Sequence, residues 1–236
     1  MSKKINIVLV HGAWADGSSW HKVITLLTAQ GHAVSATQHP LTSLAADVEI
    51  TRRLAEAQDG PVLLVGHSYG GAVITEAAHE CPQVAGLVYI AAFAPDSGES
   101  LGDLGQRALP APGNMAVHPD KYGMLWIDNE KFAESFCQDV AAADAIVMAT
   151  VQKPVSIQCF TDKITHAGWK DLPCWYQVSG QDRMITPATE TFMADRMKPQ
   201  QCISLPAGHA SMVSHPEEIA GLILDACRYL QGTDRP

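Results

Sequence analysis

The pentapeptide Gly66-His67-Ser68-Tyr69-Gly70 has the pattern of a sharp turn that exposes a nucleophilic serine. It directly follows the apolar run Val62-Leu63-Leu64-Val65 and precedes a helical pattern, and this motif is informative chiefly between a strand and a helix. The turn must hold the serine in a strained conformation. The glycines two residues to either side remove Cβ atoms that would collide there. Ser68 is therefore predicted to be a nucleophile.

A serine hydroxyl is a poor nucleophile at neutral pH and needs a neighbouring base. His209 suits this task, because histidine titrates near neutrality and the residue follows a flexible turn at a predicted strand end. Asp182 also follows a predicted strand, and it would orient the imidazole and stabilise its cation. His215 is the alternative base, although capping beside Pro216 explains it better. Asp96, after the preceding strand, is the alternative acid.

A serine nucleophile that attacks a carbonyl also requires backbone N–H groups aimed at the oxyanion. The turn supplies the amide of Tyr69, and the loop after the first predicted strand should supply that of Ala13. Gly12 and Trp14 belong to the same loop and are predicted to border the substrate. His11 is interpreted as a structural hydrogen-bonding residue.

Short apolar runs alternate with helical periodicity along most of the chain, which predicts an α/β fold with a mostly parallel sheet flanked by helices. Ligand chemistry in such a sheet belongs at the carboxyl ends of the strands. The serine, aspartate, histidine and oxyanion loop all follow predicted strands. These strands cover residues 5–10, 32–36, 62–65, 84–90, 175–179 and 202–205.

The rhythm changes between about residues 95 and 170, where prolines and glycines interrupt short helical pieces. Because the alternation resumes afterwards, this segment is predicted to be a small helical cap inserted into a single domain over residues 1–236. Aromatic side chains of the cap are expected to line an apolar pocket. The candidates are Trp126, Phe132 and Phe136.

The order serine, aspartate, histidine, with the serine turn after a central strand, resembles the α/β-hydrolase family. The chain is similar in particular to plant methylesterases, hydroxynitrile lyases and small bacterial carboxylesterases. This resemblance implies ester hydrolysis through an acyl-enzyme, without metal or cofactor. It rests on Val10-His11-Gly12-Ala13-Trp14, Gly66-His67-Ser68-Tyr69-Gly70-Gly71, Ser179-Gly180-Gln181-Asp182 and Ala207-Gly208-His209.

Two positions separate the chain from the lyases of this branch. The lyases have a threonine in the loop after the first strand and a lysine after the catalytic histidine, where this chain has Gly12 and Ala210. Ser68 likewise argues against enzymes of this fold that use an aspartate nucleophile. A serine carboxylesterase acting on a small-to-medium apolar ester is the leading hypothesis, and bulky pyrethroid-like esters are one possible substrate. A ligand receptor that keeps the same pocket with little or no turnover is the alternative.

Composition excludes several other classes of protein. The 236 residues carry a net charge of −9, which argues against nucleic-acid binding. No apolar stretch is long enough to span a membrane, and the histidines show no metal-binding spacing. The apolar run after Lys3-Lys4 is too short for a secretory signal, and the six cysteines form no C-x-x-C pair. We expect a cytoplasmic protein that binds a small-molecule ester, with a homodimer left open.

Overall fold

The computed structural model describes residues 4–232, so Lys3 and both ends of the 1–236 domain prediction lie outside the described residues. Its main sheet has six strands, which lie side by side in the order Val34–Ala36, Asn6–Val10, Val62–His67, Val84–Ile90, Cys174–Ser179 and Gln201–Leu205, and every neighbouring pair is parallel. The predicted fold class and all six predicted strands are confirmed. The strands of the chain are β1 Asn6–Val10, β2 Val34–Ala36, β3 Val62–His67, β4 Val84–Ile90, β5 Val117–Pro119, β6 Met124–Ile127, β7 Val155–Ser156, β8 Cys174–Ser179 and β9 Gln201–Leu205.

The centre of the sheet is apolar on both faces because helices cover it on both sides. Every residue of β3 is buried, as expected for a central parallel strand. Val10 of β1 pairs with Gly66 of β3, and His67 pairs with Ile90 of β4. These registers bring the ends of neighbouring strands level, so the loops that follow them open at the same edge of the sheet.

Helix boundaries follow local capping chemistry. For example, Thr186 accepts a hydrogen bond from the Thr189 amide, and Pro187 occupies the first helical turn, where its missing N–H costs nothing. None of the helices in residues 4–232 has both the length and the apolar content to cross a membrane. The α-helices are α1 His21–Ala29, α2 Leu44–Glu56, α3 Tyr69–Ala77, α4 Leu101–Gly105, α5 Asn129–Phe136, α6 Ala142–Val151, α7 Gln158–Thr161, α8 Pro187–Met197, α9 Ser211–Ser214 and α10 Pro216–Gly232.

The segment between β4 and β8 differs from the predicted helical cap in one respect. In addition to α4–α7 it contains a three-stranded antiparallel sheet in the order β5-β6-β7. Trp126, predicted to lie on a helical piece, is on β6 and pairs with His118 of β5. The physical reason is a tight turn before β6, in which Gly123 has φ +80° and Asp120 accepts the amides of Tyr122 and Met124. This turn reverses the chain and creates a hairpin.

Candidate active site

The serine turn between β3 and α3 has the strained backbone that the sequence predicted. Ser68 has φ 54° and ψ −123°, a region that residues with a side chain rarely occupy. A Cβ added to Gly66 would lie 2.6 Å from the carbonyl oxygen of Gly70, and one added to Gly70 would lie 2.5 Å from that of Val10. Glycine is therefore required at both positions, because neighbouring backbone fills the space that a side chain would need.

The structure brings the predicted nucleophile, base and acid into one hydrogen-bonded chain. The distance between His209 Nε2 and Ser68 Oγ is 2.9 Å, and that between His209 Nδ1 and Asp182 Oδ2 is 2.5 Å. Because His209 Nδ1 carries the proton and donates a hydrogen bond to the Asp182 carboxylate, Nε2 is unprotonated and can accept a hydrogen bond from the Ser68 hydroxyl. All three residues are at most 5% exposed, so the chain is shielded from competing water.

Asp182 is fixed by the turn in which it lies. Its Oδ1 accepts the amides of Met184 at 2.6 Å and Ile185 at 2.9 Å, which leaves Oδ2 for the histidine. Burial alone would raise the pKa of Asp182, but the charge of His209 and hydrogen bonds to the carboxylate hold it below its ordinary value. The carboxylate therefore stays ionised and can stabilise an imidazolium.

The two alternative residues take other roles. Asp96 forms an ion pair with Lys170 rather than a contact with the site histidine. His215 lies immediately before α10, where its Nδ1 is 2.9 Å from Ser214 Oγ. The hydrogen-bond geometry thus favours Asp182 and His209 over both alternatives.

The backbone N–H groups predicted to bind the oxyanion belong to the residue after Ser68 and to the loop that packs against it. Tyr69 is the first residue of α3, so its N–H has no intrahelical acceptor. Within residues 4–232 the backbone N–H groups of Ala13 and Tyr69 make no hydrogen bond to a backbone acceptor. Gly12 approaches so closely that a Cβ on it would lie 2.8 Å from Ser68 Cβ. The loop is thus packed directly against the serine, with two N–H groups left for a ligand.

Two further histidines border the site and act structurally. Burial lowers the pKa of His11 to about 4 and that of His67 to about 3, so both are neutral at physiological pH. His11 Nδ1 donates to the carbonyl of Gly12 at 2.8 Å, and its Nε2 accepts the amide of His39 at 3.0 Å. His67 Nε2 donates to the carbonyl of His209 at 2.9 Å. These bonds fix the oxyanion loop and the histidine loop.

The cap contacts both loops that carry the base and the acid. The Phe136 ring packs edge-on against the His209 ring, with 4.9 Å between the ring centroids. Gln138 Nε2 donates to the carbonyl of Gln181 at 2.7 Å, and Asp139 Oδ2 accepts the amide of Gly208 at 2.8 Å. Gln138 and Asp139 are not identifiable from the sequence, because they belong to no motif and become neighbours of the site only through folding.

An apolar pocket of about 210 Å³ lies between the oxyanion loop and the cap. It contains three of the predicted substrate-binding residues, Trp14, Phe132 and Phe136, together with Val147, Met148 and Val151 of α6. Trp126 does not line this pocket. Its indole N–H donates instead to Asp120 Oδ2 at 3.1 Å, which stabilises the hairpin turn.

Comparisons with known proteins agree with this fold. The model of a family described as "Alpha/beta hydrolase family" matches residues 7–222. A pyrethroid hydrolase of Sphingobium wenxiniae is 29% identical over 98% of this chain and 94% of its own length. Methylesterase 4 of Arabidopsis thaliana is 26% identical, covering 97% and 98% of the two chains. The crystal structure of a pyrethroid hydrolase from Sphingobium faniae superposes with a TM-score of 0.81 at 24% identity, covering 95% of this chain and 98% of that one. The chain belongs to the alpha/beta hydrolase family.

Proposed function

We propose that the protein is a serine carboxylesterase that hydrolyses an apolar ester through an acyl-enzyme. The observation that carries this proposal is the hydrogen-bonded chain from Asp182 through His209 to Ser68, which ends at a strained turn beside two backbone N–H groups. A chain of this kind supplies a nucleophile, a base and an orienting carboxylate in the geometry that acyl transfer requires.

In the first half of the reaction, Ser68 Oγ attacks the ester carbonyl carbon while His209 Nε2 takes the hydroxyl proton. The carbonyl oxygen becomes an oxyanion that accepts hydrogen bonds from the amides of Ala13 and Tyr69. One such donor is worth about 10²- to 10³-fold in kcat. The tetrahedral intermediate then collapses, the C–O bond to the alcohol breaks, and His209 returns the proton to the departing alkoxide.

In the second half, a water molecule attacks the acyl carbon and His209 Nε2 takes its proton. Collapse of this second intermediate breaks the bond to Ser68 Oγ, which recovers its proton from the imidazolium, and the carboxylic acid leaves. The Asp182 carboxylate stabilises the imidazolium in both halves. Every group that moves a proton is a side chain of this site, so the reaction requires no cofactor.

The pocket favours an apolar substituent of moderate size. Its 210 Å³ is smaller than the roughly 300–1,000 Å³ of pockets that enclose whole drug-sized ligands. Ser68 and His209 do not line the pocket, but Phe136 does and also packs on His209. We infer that the pocket accommodates one side of the ester, next to the reacting group. The relatives named pyrethroid hydrolase and methylesterase support ester chemistry and leave the substrate of this chain to experiment.

Local packing also supports hydrolysis over cyanohydrin cleavage. A threonine at position 12, as in the lyases, would require space that Ser68 and His67 already occupy. Ala210 is fully buried and provides no cation for a departing cyanide. Both features support an ester over a cyanohydrin as the substrate.

The test is steady-state hydrolysis of short-chain p-nitrophenyl esters by the wild type, Ser68→Ala and Ser97→Ala. Ser97 is exposed and lies outside the site, so its variant should turn over like the wild type. Ser68→Ala should lose nearly all activity, and a phosphonate ester should label Ser68 of the wild type. Equal slow rates for the wild type and Ser68→Ala would instead indicate a ligand receptor.

A further inference from the structure

Glu190 is a second carboxyl group buried behind the proposed triad. It lies on α8 and is 0% exposed. Its Oε2 accepts the amide of Ser179 at 2.8 Å, and the carbonyl of Ser179 accepts the amide of Asp182 at 3.2 Å. Glu190 therefore holds the same short turn that carries the catalytic acid.

The other oxygen of Glu190 faces no conventional donor. Oε1 is buried and, among residues 4–232, receives no hydrogen bond from an N–H or hydroxyl group. The nearest group able to interact with it is the carboxyl group of Asp182, whose charge and hydrogen-bonding contact with Glu190 shift the pKa of both residues. Two ionised carboxylates buried side by side would repel each other, so a hydrogen bond between them requires one shared proton.

The surroundings determine which residue carries that proton. Asp182 has the imidazole of His209 and two backbone amides to stabilise a negative charge. Glu190 has one amide, and burial together with the Asp182 charge raises its pKa well above the ordinary value. The titratable neighbours on the strands beside α8, Tyr176 of β8 and Cys202 of β9, provide no compensating cation.

We propose that Glu190 is a positioning residue, a neutral carboxylic acid that donates a hydrogen bond to the Asp182 carboxylate. This bond keeps Asp182 turned towards His209 and withdraws part of its negative charge. The imidazolium formed during acyl transfer can then release its proton to the leaving group more readily. This inference rests on the proposed esterase function of the site.

A spectroscopic test is independent of activity. The infrared difference spectrum of wild type minus Glu190→Gln should show the carbonyl stretch of a buried protonated carboxylic acid. At mildly alkaline pH the other two buried carboxyl groups in the described residues are ionised, because burial raises the pKa of Asp47 only to about 6 and the pKa of Asp182 lies below its ordinary value. Ser68→Ala should keep the band. If the band is absent, Glu190 is not protonated and this proposal is overturned, even if the protein is an esterase. If the band is present, Glu190 is protonated, whatever the outcome of the esterase assay.

Kinetics separate positioning from mere structural support. Glu190→Leu removes the hydrogen bond to a charged group, which should lower kcat about 10- to 100-fold with KM nearly unchanged. The acidic limb of kcat/KM should move to higher pH, because the unshared Asp182 charge holds the imidazolium proton more tightly. Glu190→Gln can donate to Asp182 and accept from the Ser179 amide, so it should restore both kcat and the wild-type pH profile.

Active sites are counted by phosphonate titration, so that loss of folded protein is not read as loss of kcat. If Glu190→Leu has the kcat per titrated site and the pH profile of the wild type, Glu190 has only a structural role and the proposal is refuted. An acidic limb that moves to lower pH in Glu190→Gln would show that the native carboxyl group is charged, and would refute the proposal. If Glu190→Leu does not fold, the infrared band and the Glu190→Gln profile still decide.

Discussion

Replacing Gly12 by alanine should displace the nucleophile. The new Cβ would lie 2.8 Å from Ser68 Cβ, 3.0 Å from the His67 carbonyl oxygen and 3.1 Å from His67 Nδ1. Two carbon atoms pack best at about 3.5 Å or more, so the methyl group would be about 0.7 Å too close to the serine. The φ angle of Gly12 is not in the left-handed region, so alanine there would cause no backbone strain and its effect would come from steric crowding alone.

The neighbours of Gly12 cannot relieve this crowding cheaply. His67 is fully buried and hydrogen-bonded to the carbonyl of His209, and the backbone of Ser68 is already strained at φ 54°. Overpacking of this kind costs about 1–3 kcal/mol of stability. Since a misplacement of about 1 Å can cost about 10²-fold in rate, we expect kcat to fall about 10- to 100-fold.

The assay compares kcat and KM for a p-nitrophenyl ester, titrated active sites and thermal unfolding in Gly12→Ala and Gly221→Ala. Gly221 lies within α10 and a Cβ there meets nothing within 4 Å. This control should keep wild-type turnover and gain about 0.5–1 kcal/mol of stability from the helix. A kcat of Gly12→Ala close to that of the wild type, with full active sites, would refute the inference that this contact positions the nucleophile.

Three further changes test other parts of the site. Asp182→Asn should reduce kcat by about 10⁴-fold without unfolding the protein, because the amide favours the wrong His209 tautomer; activity lost in Asp96→Asn instead would reverse the acid assignment. Phe136→Ala should cost about 3–5 kcal/mol in urea unfolding and also lower kcat, since the ring packs on His209; unchanged kcat per titrated site would contradict this support. Burial raises the pKa of Asp47 from 3.8 to about 6, so the folded state favours its protonated form. Protonated Asp47 therefore contributes to the free energy of unfolding at low pH, and this contribution is lost as the pH rises from about 4 to about 6. The stability of Asp47→Asn relative to the wild type should therefore increase as the pH rises through this range. A difference in unfolding free energy that stays constant with pH would refute the link between Asp47 titration and stability.

The parts of the structure that the sequence predicted are those encoded locally. The strands are short apolar runs bounded by turn residues, and the serine turn is a contiguous motif whose glycines have a direct steric cause. Ser68, Asp182 and His209 each follow a strand, and parallel strands end at one edge of a sheet. Topology alone therefore predicts that these three side chains lie near one another.

The residues that the sequence did not reveal depend on contacts between distant segments. Gln138 and Asp139 have no motif, yet they bind the loops of Asp182 and His209. Glu190 has the sequence appearance of an ordinary helix-surface carboxylate, and only the packing of α8 on β8 buries it. Trp126 is an aromatic residue of the kind that lines pockets, but it lies in a hairpin because the turn formed by Asp120 and Gly123 reverses the chain before it.

The loop of His209 is held from two directions, and this links catalysis to substrate choice. From the core, His67 donates to the His209 carbonyl; from the cap, Asp139 accepts the Gly208 amide and Phe136 packs on the imidazole. Phe136 also lines the apolar pocket. A change of the cap at this position is therefore expected to alter both the shape of the pocket and the placement of the proposed base, His209. Met148 also lines the pocket but is not among the residues whose rings pack on His209, so we expect substitutions there to change substrate range at a smaller cost in rate.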